Sequence, residues 1–275
     1  MNASARTESP TRRDRTGGNA VAGWRPLRLV ERNALVCRRT WYVLVAGLFE
    51  PILYLVSIGL GVGALVAPVA VGGGREVPYE VFVAPGMLAV SAMNGVVFDT
   101  TFNFFVKYKY SKTFDAVLAT PLEVADVAVG ESAWALLRSA VYAAGFLLTM
   151  VALGLVQSWW AVLAVPAAVL IGFAFAGTGI AATTWMRSFV DFDYVILVIV
   201  PLFLFSATFF PLDRYPRALA SVVQVTPLYQ GVALQRALVL GDVGWDLLLH
   251  AGYLVAMGAA GVWVATRRLT LLLRR

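Results

Sequence analysis

The chain has 275 residues, 60% of them hydrophobic and 14% charged, with a mean hydropathy of +0.76. That composition excludes an ordinary soluble domain, and a single cysteine and a single histidine exclude a disulfide framework and a zinc or iron–sulfur site. The formal net charge of +6 reads as a topology signal rather than a nucleic-acid footprint, because the positive residues crowd beside apolar runs.

Residues 1–23 are rich in Ser, Thr, Arg and Gly and carry no apolar signal core, so a disordered cytoplasmic tail is expected there. Next, at 24–40, comes an expected helix: the stretch PLRLVERNALVCRRTWY (26–42) sets Leu27, Val30, Ala34, Cys37 and Trp41 near one helical face, with Arg28 and Arg32 elsewhere. This suits an amphipathic helix lying in the membrane interface, or a basic flank that only sets topology.

Six apolar windows follow, at 41–66, 81–106, 132–156, 160–186, 194–210 and 247–266. Sustained period-two alternation is missing from them, so the expected fold class is an all-α polytopic membrane protein. Its six transmembrane helices occupy 41–268, and a basic tail closes the chain at 269–275. With the N-terminus inside, 17 Lys and Arg fall on the cytoplasmic side against four outside, which places both termini in the cytoplasm.

Three charges fall within the windows, where each is costly enough to need a reason. Glu50, followed by Pro51, sits ~14 Å of helix rise from Trp41, close to the midplane. It is either the acid of a kinked helix that finds a donor, or a relay or polar patch for a substrate. Asp99 lies ~12 Å inside the membrane from Lys107, and Arg138 ~10 Å from Glu131. Shared depth suggests an ion pair between spans 2 and 3, unless Arg138 snorkels to the headgroups instead.

Between spans 2 and 3, TFDAVLATPLEVADVAVGE (113–131) lines up Phe114, Val117, Leu118 and Leu122 on one face of a short helix that Pro121 limits. Such a segment suits docking in a partner's groove, or forms a simple membrane-surface turn. Between spans 5 and 6, Pro216 and Pro227 divide FPLDRYPRALASVVQVTPLYQGVALQRALVLGD (210–242) into helices at about 217–225 and 228–240, with Gly241 ending the second. Neither piece is long enough to span; they are either re-entrant or an outer loop packed on the span ends. GLGVG at 59–63 reads as close helix packing. No G-x-x-x-x-G-K-[ST] or G-x-S-x-G stretch is present.

In this order the features resemble the permease of a type-2 ABC exporter. The carriers are the basic helix before span 1, Glu50-Pro51 with Tyr54 and GLGVG, TFDAVLATPLEVADVAVGE, and Phe210-Pro211, Pro216 and Thr226-Pro227-Leu228. Thr226 departs from the asparagine often found there. The resemblance implies a half-transporter of the bacterial inner membrane that pairs with an identical or homologous permease. It also implies two separate ATPase subunits, which bind the ATP and Mg that this chain does not. Phe114, Asp115, Val117, Leu118, Pro121 and Leu122 would then form the coupling helix, and Phe210, Pro211, Pro216 and Pro227 the re-entrant exit. The cargo implied is an amphipathic drug, lipid or lipid-linked glycan. Alternatives are an ion-coupled secondary transporter, for which Glu50 is thin support, and a non-transporting scaffold.

Overall fold

A computed structural model describes residues 25–273 apart from 72–73, 112, 121 and 123, so the expected tail at 1–23 lies outside the described residues. The first helix, α1 (Arg25–Arg39), opens with Pro26 in its first turn and closes on Arg38 and Arg39, whose charges oppose the C-terminal end of its dipole. It buries Leu29 and Asn33, one turn apart, and leaves Leu27, Ala34, Leu35 and Trp41 exposed. The apolar face read from the sequence is therefore mostly the one left open, while a neighbouring stripe holds the helix to the protein.

Helix α2 (Trp41–Gly61) runs through the Glu50-Pro51 step and buries Leu55. A hairpin follows, β1 (Val69–Val71) against β2 (Arg75–Val77), with Val69 opposite Val77. Gly74 supplies the positive φ, 74°, that its turn demands. The hairpin is tied across the molecule by Arg75 Nη2, which donates to the Leu240 carbonyl at 3.1 Å and reaches Asp242 at 3.3 Å.

Next comes α3 (Tyr79–Phe98), whose winding continues to Tyr110 but loosens to π geometry over Asp99–Asn103 and Val106–Tyr110. At the first loosening the hydroxyls of Thr100 and Thr101 donate to the Val96 and Val97 carbonyls, at 2.8 and 2.6 Å. Short α4 (Thr113–Leu118) leads into α5 (Val124–Ala152). A 3-10 turn at Trp159–Leu163 opens α6 (Ala164–Thr183). The remaining helices are α7 (Phe192–Leu204), α8 (Arg217–Val225), α9 (Pro227–Leu240) and α10 (Asp246–Leu273).

Four helices among the described residues are long and apolar enough to cross a membrane: Tyr79–Tyr110, Asp126–Ala152, Trp159–Thr183 and Asp246–Leu272. The fifth window ends early. Its helix stops at Leu204 rather than at 210, because Ser206 Oγ takes the Phe203 carbonyl and Ala207 turns the chain with φ 56°. The carbonyls freed there are collected: Arg236 Nη2 donates to Ala207 O at 2.8 Å and Tyr79 Oη to Phe209 O at 3.3 Å. Irregular backbone is thus kept satisfied from within the protein, as a low-dielectric setting requires.

The main core lies where α3, α6 and α9 meet, around Leu88, Met93, Ile171, Leu228 and Val232. Against it α6 and α10 approach backbone to backbone. A Cβ added at Gly177 would meet Gly258 O and Val262 N at 2.7 Å, and one at Gly261 would meet Gly177 C at 2.5 Å. Pro227 at the start of α9 and Gly241 at its end, with φ 88°, bound that helix much as the sequence reading placed it.

Candidate functional site

The charges of α3 and α5 meet at one end of the bundle as a ladder. Lys107 Nζ lies 2.6 Å from Glu131 Oε2, and the Glu131 side chain is 7% exposed. Asn33 of α1 closes the triangle, donating Nδ2 to Glu131 Oε1 at 3.3 Å while its oxygen accepts from Lys107 at 3.4 Å. About two turns deeper, Arg138 pairs with Asp99, and Asn103 Nδ2 donates to Asp99 Oδ1 at 2.6 Å. The structure therefore brings Asp99 and Arg138 together, as their shared depth suggested. Asp99 Oδ2, Arg138 Nε and Ser139 Oγ are buried with no hydrogen-bond partner among the described residues.

The ladder has crossed polarity. Running inward, α3 offers Lys107 then Asp99, and antiparallel α5 offers Glu131 then Arg138. Any slide that set Arg138 beside Lys107, or Glu131 beside Asp99, would oppose like charges in a low-dielectric medium. Two buried pairs of this kind contribute little net stability but specify one register. Sequence reading used Lys107 and Glu131 only as depth marks and passed over Asn33. The available signal was the seven-residue spacing of Glu131 and Arg138, which puts both on one face.

A second, smaller core sits beside the ladder and gathers Leu29 (α1), Phe104 (α3), Phe114 (α4), Val127 (α5), Ile180 (α6) and Leu269 (α10). Phe114 is 1% exposed, its ring centroid 4.9 Å from that of Phe104. This corrects the expectation of an outward apolar face at Phe114 and Val117. Phe114 turns into the chain's own core, and Val117 packs half-buried beside it. The physical reason is that a six-residue helix buries enough apolar surface only against elements already in place, and this core lies directly beneath it. Ala119 and Thr120 are exposed, and Leu122, half-buried, lies past the helix end. The side chains of Asp115 and Leu118, all of Pro121 and the side chain of Glu50 lie outside the described residues.

Aromatic rings fasten α7 to the same end. Phe189 and Phe192 pack against Phe102 and Phe105 of α3 at centroid distances of 5.3 to 5.9 Å, and Tyr110 stacks on Phe189 at 4.8 Å. At the opposite end Phe210 is exposed and Pro211 half-buried, while Pro216 and Pro227 start α8 and α9. No cluster of three or more His, Cys, Asp or Glu suited to a metal occurs among the described residues. The arrangement holds helices in register, with each ladder charge set against an opposite one.

The pattern of one known family, described as ABC-2 type transporter, matches residues 27–240. The chain belongs to that family. This permease is 35% identical over 239 residues to nodulation protein J of Rhizobium leguminosarum bv. trifolii, across 86% of this chain and 87% of the relative. It is 33% identical over 241 residues to the protein of the same name from R. leguminosarum bv. viciae, across 86% and 88%. The Rhizobium meliloti strain 1021 protein is 30% identical over 247 residues, across 89% and 92%. The matched region takes in the ladder, the whole of α9 and the second core apart from its α10 members such as Leu269.

Proposed function

We propose that this ABC-2 permease is one half of the membrane pathway of an ATP-driven exporter in the bacterial inner membrane. It crosses six times with both termini in the cytoplasm, α2 and α7 completing the set begun by the four long helices. Two separate ATPase subunits supply the ATP and Mg chemistry and seat against α4. The observation that carries this reading is Phe114 anchored in the second core. A segment plugged among α1, α3, α5, α6 and α10 transmits a push on its outer side to all five helices at once. Phe114 is then a positioning residue, the exposed Ala119 and Thr120 side faces the ATPase, and Asp115 is the residue whose charge the coupling uses.

A second permease, identical or homologous, covers the faces of α2 and α7 that stand open, among them Phe49, Leu53, Leu197 and Val200. Helices α8 and α9 dip back from the outer face and close the exit near Phe210, Pro211, Pro216 and Pro227, with their irregular joints satisfied by Arg236 and Tyr79. The cargo is an amphipathic drug, lipid or lipid-linked glycan. Support for this class comes from the family and from relatives named for nodulation.

The test is co-purification with an ABC ATPase subunit, sought first in the neighbouring reading frame, with two variants scored for assembly and for substrate-stimulated ATP hydrolysis. Asp115→Lys is expected to leave the permease's thermal stability unchanged while cutting both readouts. Phe114→Ala is expected to lower stability by about 3–5 kcal/mol and to lower stimulated hydrolysis with it. Unchanged assembly and hydrolysis in both variants would overturn the coupling role of α4.

A further inference from the structure

Between α7 and the rest of the bundle lies a cavity of about 650 Å³. Tyr194, Val198 and Leu202 form one wall of it, a stripe spaced by four residues along α7, and Ala182, Trp185 and Thr101 stand on the other side. From Tyr194 to Leu202 the helix rises ~12 Å, close to the depth of one leaflet of a ~30 Å hydrocarbon core. Its two threonine hydroxyls are already spent. Thr101 donates to Val97 O at 2.6 Å, and Thr178 to the Ala174 and Phe175 carbonyls at 3.1 Å. Walls of this kind solvate a hydrocarbon chain, and besides Asp191 the other polar groups of the lining are the Tyr194 hydroxyl and the Trp185 indole N–H.

The mouth is different in character. Trp185 stands there with the Arg268 guanidinium stacked 4.5 Å from its ring centre, and Arg268 Nε is buried without a hydrogen-bond partner among the described residues. Arg187 and Lys109 lie close enough to Asp191 to act on it electrostatically. Asp191, the carboxylate lining the cavity, accepts on its Oδ2 from the backbone N–H of Arg187 at 2.6 Å and of Ser188 at 3.1 Å, so that oxygen is engaged. Asp193, one step into α7, points to the exposed side. An apolar slot one leaflet deep, with Arg268 stacked on its Trp185 and Arg187 next in the chain to its Met186, complements a molecule with an alkyl tail and an anionic head.

We infer that this cavity holds one acyl chain of an anionic phospholipid from the leaflet at the basic end of the bundle, with its phosphate on Arg268 and Arg187. The lipid is resident: it fills the space behind a helix that is held by the aromatic cluster at its base and by Ile199, Leu202 and Phe203 on the main core at its other end. The inference rests on the membrane placement and not on the exporter reading, so each stands or falls alone.

Native mass spectrometry of the purified full-length permease tests it, with phosphatidylglycerol and phosphatidylcholine of matched chains added in turn. The wild type should retain phosphatidylglycerol about tenfold better than phosphatidylcholine, as two guanidiniums near one phosphate imply. The double variant Arg187→Gln, Arg268→Gln should lose that preference. Ala182→Trp, which fills the slot, should lose both lipids, and Val198→Trp does the same from the α7 side if the first variant does not fold. Equal retention of the two lipids by the wild type overturns the inference, as does phosphatidylglycerol retention that neither tryptophan reduces. If a tryptophan converts a dimer to a monomer by light scattering without loss of lipid, the cavity is a seam between copies and the inference is likewise overturned.

Discussion

Two helices of similar hydrophobicity meet opposite fates in this molecule. Over its best 18-residue window the α3 span is 78% buried inside the protein, whereas α7 has no fully buried residue. Composition does not explain the contrast, since both consist largely of Val, Leu, Phe and Ala or Ile. Neighbours do. Helix α3 is wedged among α5, α6 and α9 and carries half of the charge ladder, while α7 touches the bundle at its aromatic base and through Ile199, Leu202 and Phe203. In a bilayer an exposed apolar helix costs nothing against lipid, so burial there records close packing and polar pairing rather than hydrophobicity.

The contrast can be broken from the buried side first. Arg138→Met leaves Asp99 between α3 and α5 with the Asn103 amide but no countercharge, and should cost about 3–5 kcal/mol, read as a large drop in melting temperature in detergent. Exchanging the pair, Asp99→Arg with Arg138→Asp, should recover a good part of that loss. If the exchange is no better than either single change, the pair does not hold the register. Gly177→Ala is the next test in size. Its methyl would sit 2.7 Å from backbone atoms of α10, so α6 and α10 must part, at about 1–3 kcal/mol by thermal melting. On the open side, Leu197→Ser should change the melting of the isolated chain by no more than about 0.5 kcal/mol. Yet it should weaken the permease pair measured by light scattering; an unaltered pair would show that α7 faces lipid alone.

Much of this architecture is legible in the sequence, for identifiable reasons. Proline and glycine fix φ or free it wherever they occur, so Pro216, Pro227 and Gly241 marked α8 and α9 to within a residue. Depth along a helix is a simple count, so Asp99 and Arg138 were matched before either was placed. Direction is harder. The pattern of Phe114 and Val117 shows an apolar face but not whether a partner or the chain's own core meets it. Burial of Phe114 came from Leu29, Ile180 and Leu269, all far off in sequence. The same limit hid Asn33, whose importance arises only when α1 lies across α5. The hairpin at 69–77 escaped because three-residue strands are too short to show a period. The loosened winding after Phe98 leaves no pattern at all, since it depends on which carbonyls Thr100 and Thr101 reach.

That loosened winding makes α3 a screw with two slack threads. Each π turn carries about one residue more than an α turn, so tightening either would rotate everything beyond it by ~100° and shift it by ~1.5 Å. Phe104, the ring against Phe114, lies between the two threads, and Lys107 lies within the second. One tightened turn would therefore carry Lys107 off Glu131 without breaking the rod. A pull on α4 would be answered by torsion in α3 as readily as by tilt.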